Sequence, residues 1–140
     1  MKHKIALIAH DAKKDDMISL TKSHNKQLNT VDLVATKGTG QLVSARTGLN
    51  VELLQEGPRG GAQQVSALVA TSQLVAVIFL RDPLTAQTYE PGLSELLRLC
   101  DVHNVPIATN IMTAKAVFNL IFGSPENVDE IEKEVIGVAE

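Results

Sequence analysis

The sequence predicts an α/β fold, built as a single doubly wound parallel sheet of five strands with helices on both faces. Short apolar runs recur along the chain, rich in leucine and β-branched residues and without polar alternation, which is typical of parallel strands buried on both faces. Amphipathic segments of helical period separate these runs, which favours right-handed strand-helix-strand crossovers. The 140 residues are enough for one domain with one continuous core, and too few for two comfortable domains.

The predicted elements follow in chain order. Apolar runs of four to seven residues predict strands at residues 5–9, 31–36, 51–54, 74–80 and 106–110. The amphipathic segments predict helices at residues 15–28, 40–46, 62–72, 93–103 and 113–122. A Gly-Ser-Pro sequence at residues 123–125 ends the last helix. We therefore expect one domain over residues 1–125, followed by an acidic helix or tail over residues 126–140.

Composition narrows the classes of function. Aromatic residues make up only 3% of the chain, which is too few to build stacking platforms for bases. The net charge is −3 and the basic residues are scattered, which argues against a duplex-binding surface. The longest apolar run, residues 74–80, is far shorter than the ~20 residues needed to cross a bilayer. We expect neither a nucleic-acid partner nor a membrane partner.

The cysteine content and the start of the chain predict a location. Met1 leads straight into a strand-like run, without the features of a secretory leader. The one cysteine, Cys100, can form no internal disulfide and no cysteine metal cluster. We therefore predict a cytoplasmic protein without a metal site, in which Cys100 is a small buried hydrophobic residue.

Ligands of open α/β sheets bind beyond the carboxyl ends of the strands, so the strand-to-helix junctions are the places to look for a site. Polar or glycine-rich residues follow every predicted strand. In chain order they are His10, Asp11 and Lys14; residues 36–40; residues 56–61; Arg81 and Asp82; and Thr109 and Asn110.

Two of these junctions are glycine-rich and each opens a helix. The loops at residues 36–40 and 57–61 let the backbone approach a ligand closely, and N–H groups at a helix start favour an anion. Hydroxyls at Thr36 and Thr39 add donors, and Lys14 adds a cation. A phosphate or carboxylate is the predicted ligand, with tight turns into helices as the alternative.

The other junctions carry titratable side chains. His10 and Asp11 form a candidate acid-base or orienting pair, because histidine titrates near neutral pH and a carboxylate fixes its tautomer. The alternative is that Asp11 caps the next helix and His10 has no special role. Asp82, followed by Pro83, is a candidate catalytic carboxylate, with the start of a turn as the alternative.

Taken together these motifs resemble the methylglyoxal synthase family, in the same order and spacing over nearly the whole chain to about Phe122. The matching stretches are residues 5–11 with Lys14, 35–40, 46–51, 57–64, 82–84, 96–99 and 104–110. The resemblance implies a homohexamer and a phosphate pocket near Lys14, Thr36, Thr39 and Gly57. It also implies elimination of phosphate from dihydroxyacetone phosphate, a reaction that needs a base and donors to an oxyanion but no cofactor.

The sequence departs from the family pattern at important positions. The family's base is the aspartate of a Gly-Gly-Asp-Gln-Gln motif, where this chain has Ala62. The family's substrate-binding histidine corresponds to Tyr89, and a second aspartate corresponds to Gly92. In the phosphate pocket a Gly-Thr pair is replaced by Lys37 and Gly38, and the serine before Gly57 is replaced by Glu56. A carboxylate there repels phosphate unless Lys37 or Arg59 compensates.

Two hypotheses of function follow. The first is a divergent homologue that binds a small anion or phosphorylated metabolite, with synthase activity lost or much reduced, as a sensor or as the regulatory subunit of a protein partner. The alternative is an active methylglyoxal synthase, a carbon–oxygen lyase, with Glu56 or Glu90 among the relocated bases to consider. The predicted catalytic residues are His10, Asp11 and Asp82. The predicted anion-binding residues are His10, Lys14, Thr36, Lys37, Gly38, Thr39, Glu56 and Gly57.

Overall fold

A computed structural model describes residues 3–85 and 93–123 of the chain. Its centre is a sheet of five parallel strands in the spatial order β3-β2-β1-β4-β5. The strands are β1 (Lys4–Ala9), β2 (Asp32–Ala35), β3 (Val51–Leu53), β4 (Ala76–Leu80) and β5 (Ile107–Ala108). All five lie within or next to the predicted runs, so the predicted fold class is confirmed.

Six helices connect and follow the strands among the described residues. They are α1 (Lys14–Ser23), α2 (Asn25–Leu28), α3 (Lys37–Thr47), α4 (Gly61–Ala70), α5 (Leu93–His103) and α6 (Ile111–Phe122). Two short 3-10 turns, Asp11–Lys13 and Gly57–Arg59, precede α1 and α4. None of the helices in the described ranges is long and apolar enough to cross a membrane.

The strand order decides on which face of the sheet each connecting helix lies. The chain runs outward from β1 to β2 and β3 through α1 and α3, and then returns through α4 to pair β4 with the other side of β1. Because the direction of travel reverses, right-handed crossovers put α4 and α5 on the face opposite to α1 and α3. The carboxyl ends of β1 and β4 therefore form the topological switch point, where ligands of such sheets bind.

The core is aliphatic, as the low aromatic content predicts. β4 is buried along its whole length, and five of the six residues of β1 are buried. Phe118 of α6 is the one aromatic residue among the largest fully buried side chains. Cys100 is 1% exposed, and burial raises the pKa of its thiol to about 12. The prediction that Cys100 is a buried hydrophobic residue is thus confirmed.

The boundaries of two predicted helices were wrong for identifiable reasons. The segment 15–28 is not one helix but α1 and α2, divided at His24, where the ring Nδ1 and the Ser23 hydroxyl both bond to carbonyls of the preceding turn. The segment 36–40, predicted to be a loop, is instead the N-terminal cap and first turn of α3. Its Gly40 N–H donates to the Thr36 carbonyl over 2.8 Å. The predicted acidic segment 126–140 lies outside the described residues.

Candidate active site

A cavity of about 640 Å³ opens at the switch point of the sheet. Nine of the ten predicted site residues line it, namely His10, Asp11, Lys14, Thr36, Gly38, Thr39, Glu56, Gly57 and Asp82. Lys37 is the exception, because it is exposed on the first turn of α3 and is not among the described residues that line the cavity. The structure therefore brings the predicted residues together, while their roles stay predictions.

The cavity has two walls of different construction. The strand wall comprises His10, Phe79 and Asp82, at the carboxyl ends of β1 and β4. The loop wall comprises residues that begin α3 and α4 or precede them, namely Thr36, Gly38, Thr39, Glu56, Gly57 and Ala62. Lys14, at the start of α1, lies where the two walls meet.

Lys14 is held by the end of β1. Its Nζ donates to the Ala9 carbonyl and to Asp11 Oδ1, each over 2.9 Å, and its side chain is only 20% exposed. The hydrogen bond and the charge of Lys14 keep the pKa of the Asp11 carboxyl below its ordinary value. A Cβ on Gly38 would lie 3.4 Å from Lys14 Cε, in ordinary contact, so the lysine side chain passes directly over the first turn of α3. An ammonium has three N–H donors, and the third remains for a ligand.

The sequence left two interpretations of His10 and Asp11, an acid-base or orienting pair and a helix cap at Asp11. The bond between Asp11 and Lys14 changes both. Asp11 does not cap a helix, because it is the first residue of the 3-10 turn and no side chain caps that turn. Its carboxylate instead bonds to Lys14, and its side chain is fully exposed. Asp11 was predicted to orient His10. In the structure, a residue that follows another strand bonds to the His10 ring.

That bond comes from Asp82. The parallel register pairs Ala9 with Leu80, which carries His10 alongside residues 81 and 82. The backbone N–H of Asp82 donates to His10 Nδ1 over 2.9 Å, and the ring meets Phe79 edge-on with centroids 5.4 Å apart. The half-buried imidazole is thus held from two sides.

The Asp82 carboxyl group is buried and satisfied by its own loop. Its Oδ1 accepts the Leu84 N–H over 3.1 Å, which makes Asp82 the start of a turn as well as a residue of the cavity wall. Hydrogen bonds from the Thr85 hydroxyl, and then from the backbone, keep the pKa of the Asp82 carboxyl below its ordinary value. Asp82 is therefore ionised near neutral pH, as a proton acceptor must be.

The loop wall is held together by close backbone packing. A Cβ on Gly61 would clash with the Gln55 carbonyl and lie 2.7 Å from Thr36 Cγ2. The start of α4 consequently touches the start of α3, and the two glycine-rich segments converge as predicted. Thr39 is buried and its hydroxyl accepts the Ala9 N–H over 3.2 Å, so this hydroxyl ties α3 to β1 and serves the structure as well as the cavity wall.

Glu56 gives the loop wall a negative charge. Its carboxylate is about half exposed, and Arg59 Nε lies 3.8 Å from Glu56 Oε2. A pair this open to solvent balances the charge only weakly. Arg59 is therefore close enough to offset part of the Glu56 charge, and its effect on a phosphate stays a prediction. Among the ion pairs of the described residues, none joins Lys37 to Glu56.

Comparison with known proteins places these features in a family. The sequence model of the MGS-like domain matches residues 16–109 of this chain. A match over that span decides the family. The chain belongs to the MGS-like domain family.

Named relatives are identical to this chain at about half of the aligned positions. The chain is 54% identical over 112 residues to the methylglyoxal synthase of Bacillus subtilis (strain 168). That alignment covers 80% of this chain and 82% of the relative. It is 51% identical over 124 residues to the methylglyoxal synthase of Moorella thermoacetica, which covers 89% of this chain and 97% of the relative. The crystal structure of methylglyoxal synthase from Elizabethkingia anophelis NUHP1 superposes with a TM-score of 0.79 at 38% identity, and covers 89% of this chain and 79% of that one.

Within the MGS-like domain, the structure describes only some of the positions at which the sequence departs from the family pattern. Ala62 is 8% exposed and lines the cavity from the first turn of α4. Tyr89, Glu90 and Gly92 lie outside the described residues. The placement of Ala62 means that a carboxylate at this position would face the cavity, as the resemblance implies for the family's base.

Among the lining residues that sequence reasoning did not predict, Thr85 and Phe79 interact with predicted site residues. Thr85 follows the Asp-Pro pair, and a hydroxyl three residues after an aspartate is a recognisable turn signal that points to its bond with Asp82. Phe79 reads in the sequence as an ordinary buried strand residue, and no signal separates it from its neighbours. Its role as a support for His10 depends on the pairing of β1 with β4.

Proposed function

We propose that this MGS-like domain binds dihydroxyacetone phosphate in the cavity and eliminates phosphate from it, which makes the chain a carbon–oxygen lyase of the methylglyoxal synthase type. The observation that carries the proposal is the meeting, at one switch point, of Lys14, two helix starts and the His10–Asp82 pair. The names of relatives at about 50% identity support the same reaction over simple binding.

The phosphate group belongs at the junction of the walls. Lys14 supplies a cation there, and the first turn of α3 supplies N–H groups at Gly38 and Thr39 with the positive end of a helix dipole. Gly57 adds backbone on the facing loop. A phosphate so placed directs the three-carbon part of the substrate along the strand wall, toward His10 and Asp82.

The chemistry then needs a base and a donor. A carboxylate removes a proton from the hydroxymethyl carbon beside the carbonyl, and the electrons move onto the carbonyl oxygen to form an enediolate. The carbon–oxygen bond to phosphate then breaks, while the hydroxyl of the former hydroxymethyl carbon gives its proton to the departing phosphate and becomes the aldehyde. The enolate that remains takes the first proton back from the base, at the carbon that carried the phosphate, to give methylglyoxal. Asp82 is the better candidate for the base, because Asp11 is fully exposed and already paired with Lys14.

The rate is expected to be lower than in a chain with a carboxylate at position 62. Hydrogen bonds lower the pKa of Asp82, which weakens it as a base, and removal of a dedicated base typically costs ~10²–10⁴ in rate. Glu56 is a second possible base on the cavity wall, but its charge lies beside the proposed phosphate position.

A second candidate function is binding without turnover, in a sensor or a regulatory subunit. Ala62 favours it, because a methyl group on the cavity wall accepts no proton. Retention of Lys14 and of both glycine-rich helix starts is consistent with a site that still holds a phosphorylated metabolite. Under either function we propose a cytoplasmic homo-oligomer, with a hexamer as the form that the family resemblance implies.

Release of inorganic phosphate from dihydroxyacetone phosphate distinguishes the two functions. Wild-type protein should release phosphate with methylglyoxal in equal amounts, and Asp82→Asn should reduce the rate by ~10²–10⁴. Lys22→Ala is a matched control, since Lys22 is exposed in the last turn of α1 and does not line the cavity. Binding of the substrate without phosphate release would establish the second function instead.

A further inference from the structure

A second cavity, of about 450 Å³, lies between the end of α1, α2 and α6. It shares no lining residue with the cavity at the switch point. We call it the α6 groove, and the described residues that line it are Ser23, His24, Gln27, Lys115, Phe118, Asn119 and Phe122. The proposed lyase chemistry makes no use of any of these residues.

Three aromatic rings form the floor of the α6 groove. The ring centroids of His24 and Phe118 are 4.9 Å apart, and those of Phe118 and Phe122 are 6.0 Å apart. His24 Nδ1 lies 2.9 Å from the Leu20 carbonyl oxygen, which fixes this ring at the end of α1. Phe118 is buried, whereas His24 and Phe122 are only half-buried. The two outer rings therefore have ring surface that a further element could bury, and such burial stabilises aromatic side chains.

The rim of the α6 groove is positively charged. Lys115 is exposed on α6, and no carboxylate occurs among the described lining residues. Lys22 and Lys26, which directly precede the lining residues Ser23 and Gln27, are exposed as well. None of these three lysines takes part in an ion pair within residues 3–85 and 93–123. An occupant with an apolar face and acidic flanks would complement such a groove.

The chain itself continues from the edge of the α6 groove with those properties. Phe122 both ends α6 and lines the groove, and the described residues stop at Gly123. Residues 124–140 contain six carboxylate side chains and one lysine. Within them, apolar residues recur at spacings of three and four, which is typical of a helix with a single apolar stripe. The stripe consists of Val128, Ile131, Val135 and Val138.

We propose that residues 126–138 form an amphipathic helix that folds back along α6 and buries its apolar stripe in the α6 groove. The Gly-Ser-Pro sequence at residues 123–125 supplies the turn. Two antiparallel helices joined by a short loop are a common arrangement, the αα-hairpin. A helix this short is marginal by itself in water, so the rings of the groove supply most of its stability. The proposal is independent of the lyase function.

The antiparallel arrangement fixes which residues meet. Both helices rise by about 1.5 Å per residue, so each step forward along the C-terminal helix matches a step back along α6. The short turn places the start of the stripe beside the end of α6. The expected pairs, within about one residue, are Val128 with Phe122, Ile131 with Phe118, and Glu134 with Lys115.

Hydrogen exchange of the full-length protein tests the docking. The amides of residues 128–138 should exchange at least ~10-fold more slowly than in a free peptide of the same sequence. Ile131→Asp puts a charge on the apolar stripe and should abolish this protection. Ile136→Asp is the matched control, because residue 136 lies outside the stripe, and its protection should remain. No protection in the wild type, or equal loss in both variants, overturns the proposal.

The register is tested by carbodiimide coupling, which joins a lysine amine to a carboxylate in contact with it. Mass spectrometry of the digested protein should show a product between Lys115 and Glu134. Lys115→Arg should remove the product and keep the protection, because arginine retains the charge and is not coupled. Lys115→Glu should reduce the protection, and adding Glu134→Lys should restore it. Coupling of Lys115 only to carboxylates outside residues 126–138 overturns the proposed register.

The same coupling distinguishes the chain's own segment from that of a second copy. Protein labelled with ¹⁵N is mixed with unlabelled protein, dissociated in denaturant, refolded together and then coupled. Docking within one chain gives products in which both peptides carry the same label. Products of mixed label, in the proportion expected for random pairing, would show that the groove receives the segment of a neighbouring copy, and they overturn the proposal.

Discussion

The strand wall and the loop wall face each other across one cavity and are built by different means. On the strand wall, backbone N–H groups bond to side chains, as Asp82 does to His10 and Leu84 does to Asp82. On the loop wall, the absence of a side chain at Gly61 lets two helix starts touch. The strand wall therefore orients titratable groups, and the loop wall shapes the space in which we propose that an anion binds.

The difference predicts unlike responses to substitution. A group on the strand wall can be replaced without moving the backbone that supports it, so its loss should affect chemistry. A change at the closest backbone contact of the loop wall should move the wall itself, so it should affect stability and binding together. The predictions below test this contrast, from the largest expected effect to the smallest.

The largest effect is expected when a carboxylate is added to the loop wall together with its partners. Ala62→Asp alone should raise phosphate release only slightly, because groups that act as a unit are strongly non-additive. Ala62→Asp combined with Tyr89→His, Gly92→Asp and Glu56→Ser should raise it by ~10²–10⁴. The measurement is phosphate release from dihydroxyacetone phosphate.

A full gain from Ala62→Asp alone would show that the rest of the site is already competent. In that case the wild-type site lacks only the base, and Asp82 does not take over the role of the base. Ala62→Asn adds a side chain of the same size as aspartate but without its charge. It is the matched control and should give no gain in phosphate release.

The next effect is steric. Gly61→Ala puts a Cβ against the Gln55 carbonyl and Thr36 Cγ2, so the two helix starts must separate. Overpacking of this kind costs about 1–3 kcal/mol, and anion binding should weaken with it. Denaturant unfolding and calorimetry with inorganic phosphate measure the two effects.

Gly57→Ala is the control for that experiment. A Cβ at Gly57 meets no atom within 4 Å, and its φ does not lie in the left-handed region. Its stability should match the wild type. Equal destabilisation by both alanines would mean that close packing between the helix starts is not what holds the loop wall.

Where the two walls meet, Lys14 should matter for affinity and little for stability. Lys14→Ala removes a charge-assisted donor, which is worth about 1.5–3 kcal/mol, so phosphate should bind ~10–100-fold more weakly. The Asp11 pair that is lost with it has a fully exposed carboxylate and contributes little to folding, and the lost bond to the Ala9 carbonyl should cost about 1 kcal/mol. An unchanged phosphate affinity by calorimetry would move the anion site away from this junction.

The smallest effect is expected at Glu56. Glu56→Gln removes a half-exposed negative charge from the loop wall, so phosphate should bind a few-fold more tightly at low salt and the gain should fade as salt rises. Arg59→Gln should act in the opposite direction, because it removes the partial compensation. Salt-independent changes would indicate that the charge of Glu56 does not act on the ligand.

The sequence alone was sufficient for the fold class, because burial on both faces leaves an unmistakable pattern in β1 and β4. Nine of the ten site residues that the sequence predicts line one cavity, since strand-to-helix junctions of a parallel sheet share one edge. The sequence was less successful with local boundaries. Residues 36–40 look like a glycine loop, but in the structure they cap and begin α3, where a Cβ on Gly40 would clash with the Leu53 side chain.

The partners of the site residues were decided by the tertiary structure. In the sequence, the carboxylate beside His10 is Asp11, and a local pair was the natural prediction. In the fold, β4 crosses to the free side of β1, and a residue 72 positions away donates to the ring. Proximity along the chain gives no information about which strand becomes a neighbour, because strand order depends on the packing of whole crossovers. The bond from the Asp82 N–H to the His10 ring therefore became visible only when the order of the strands was known.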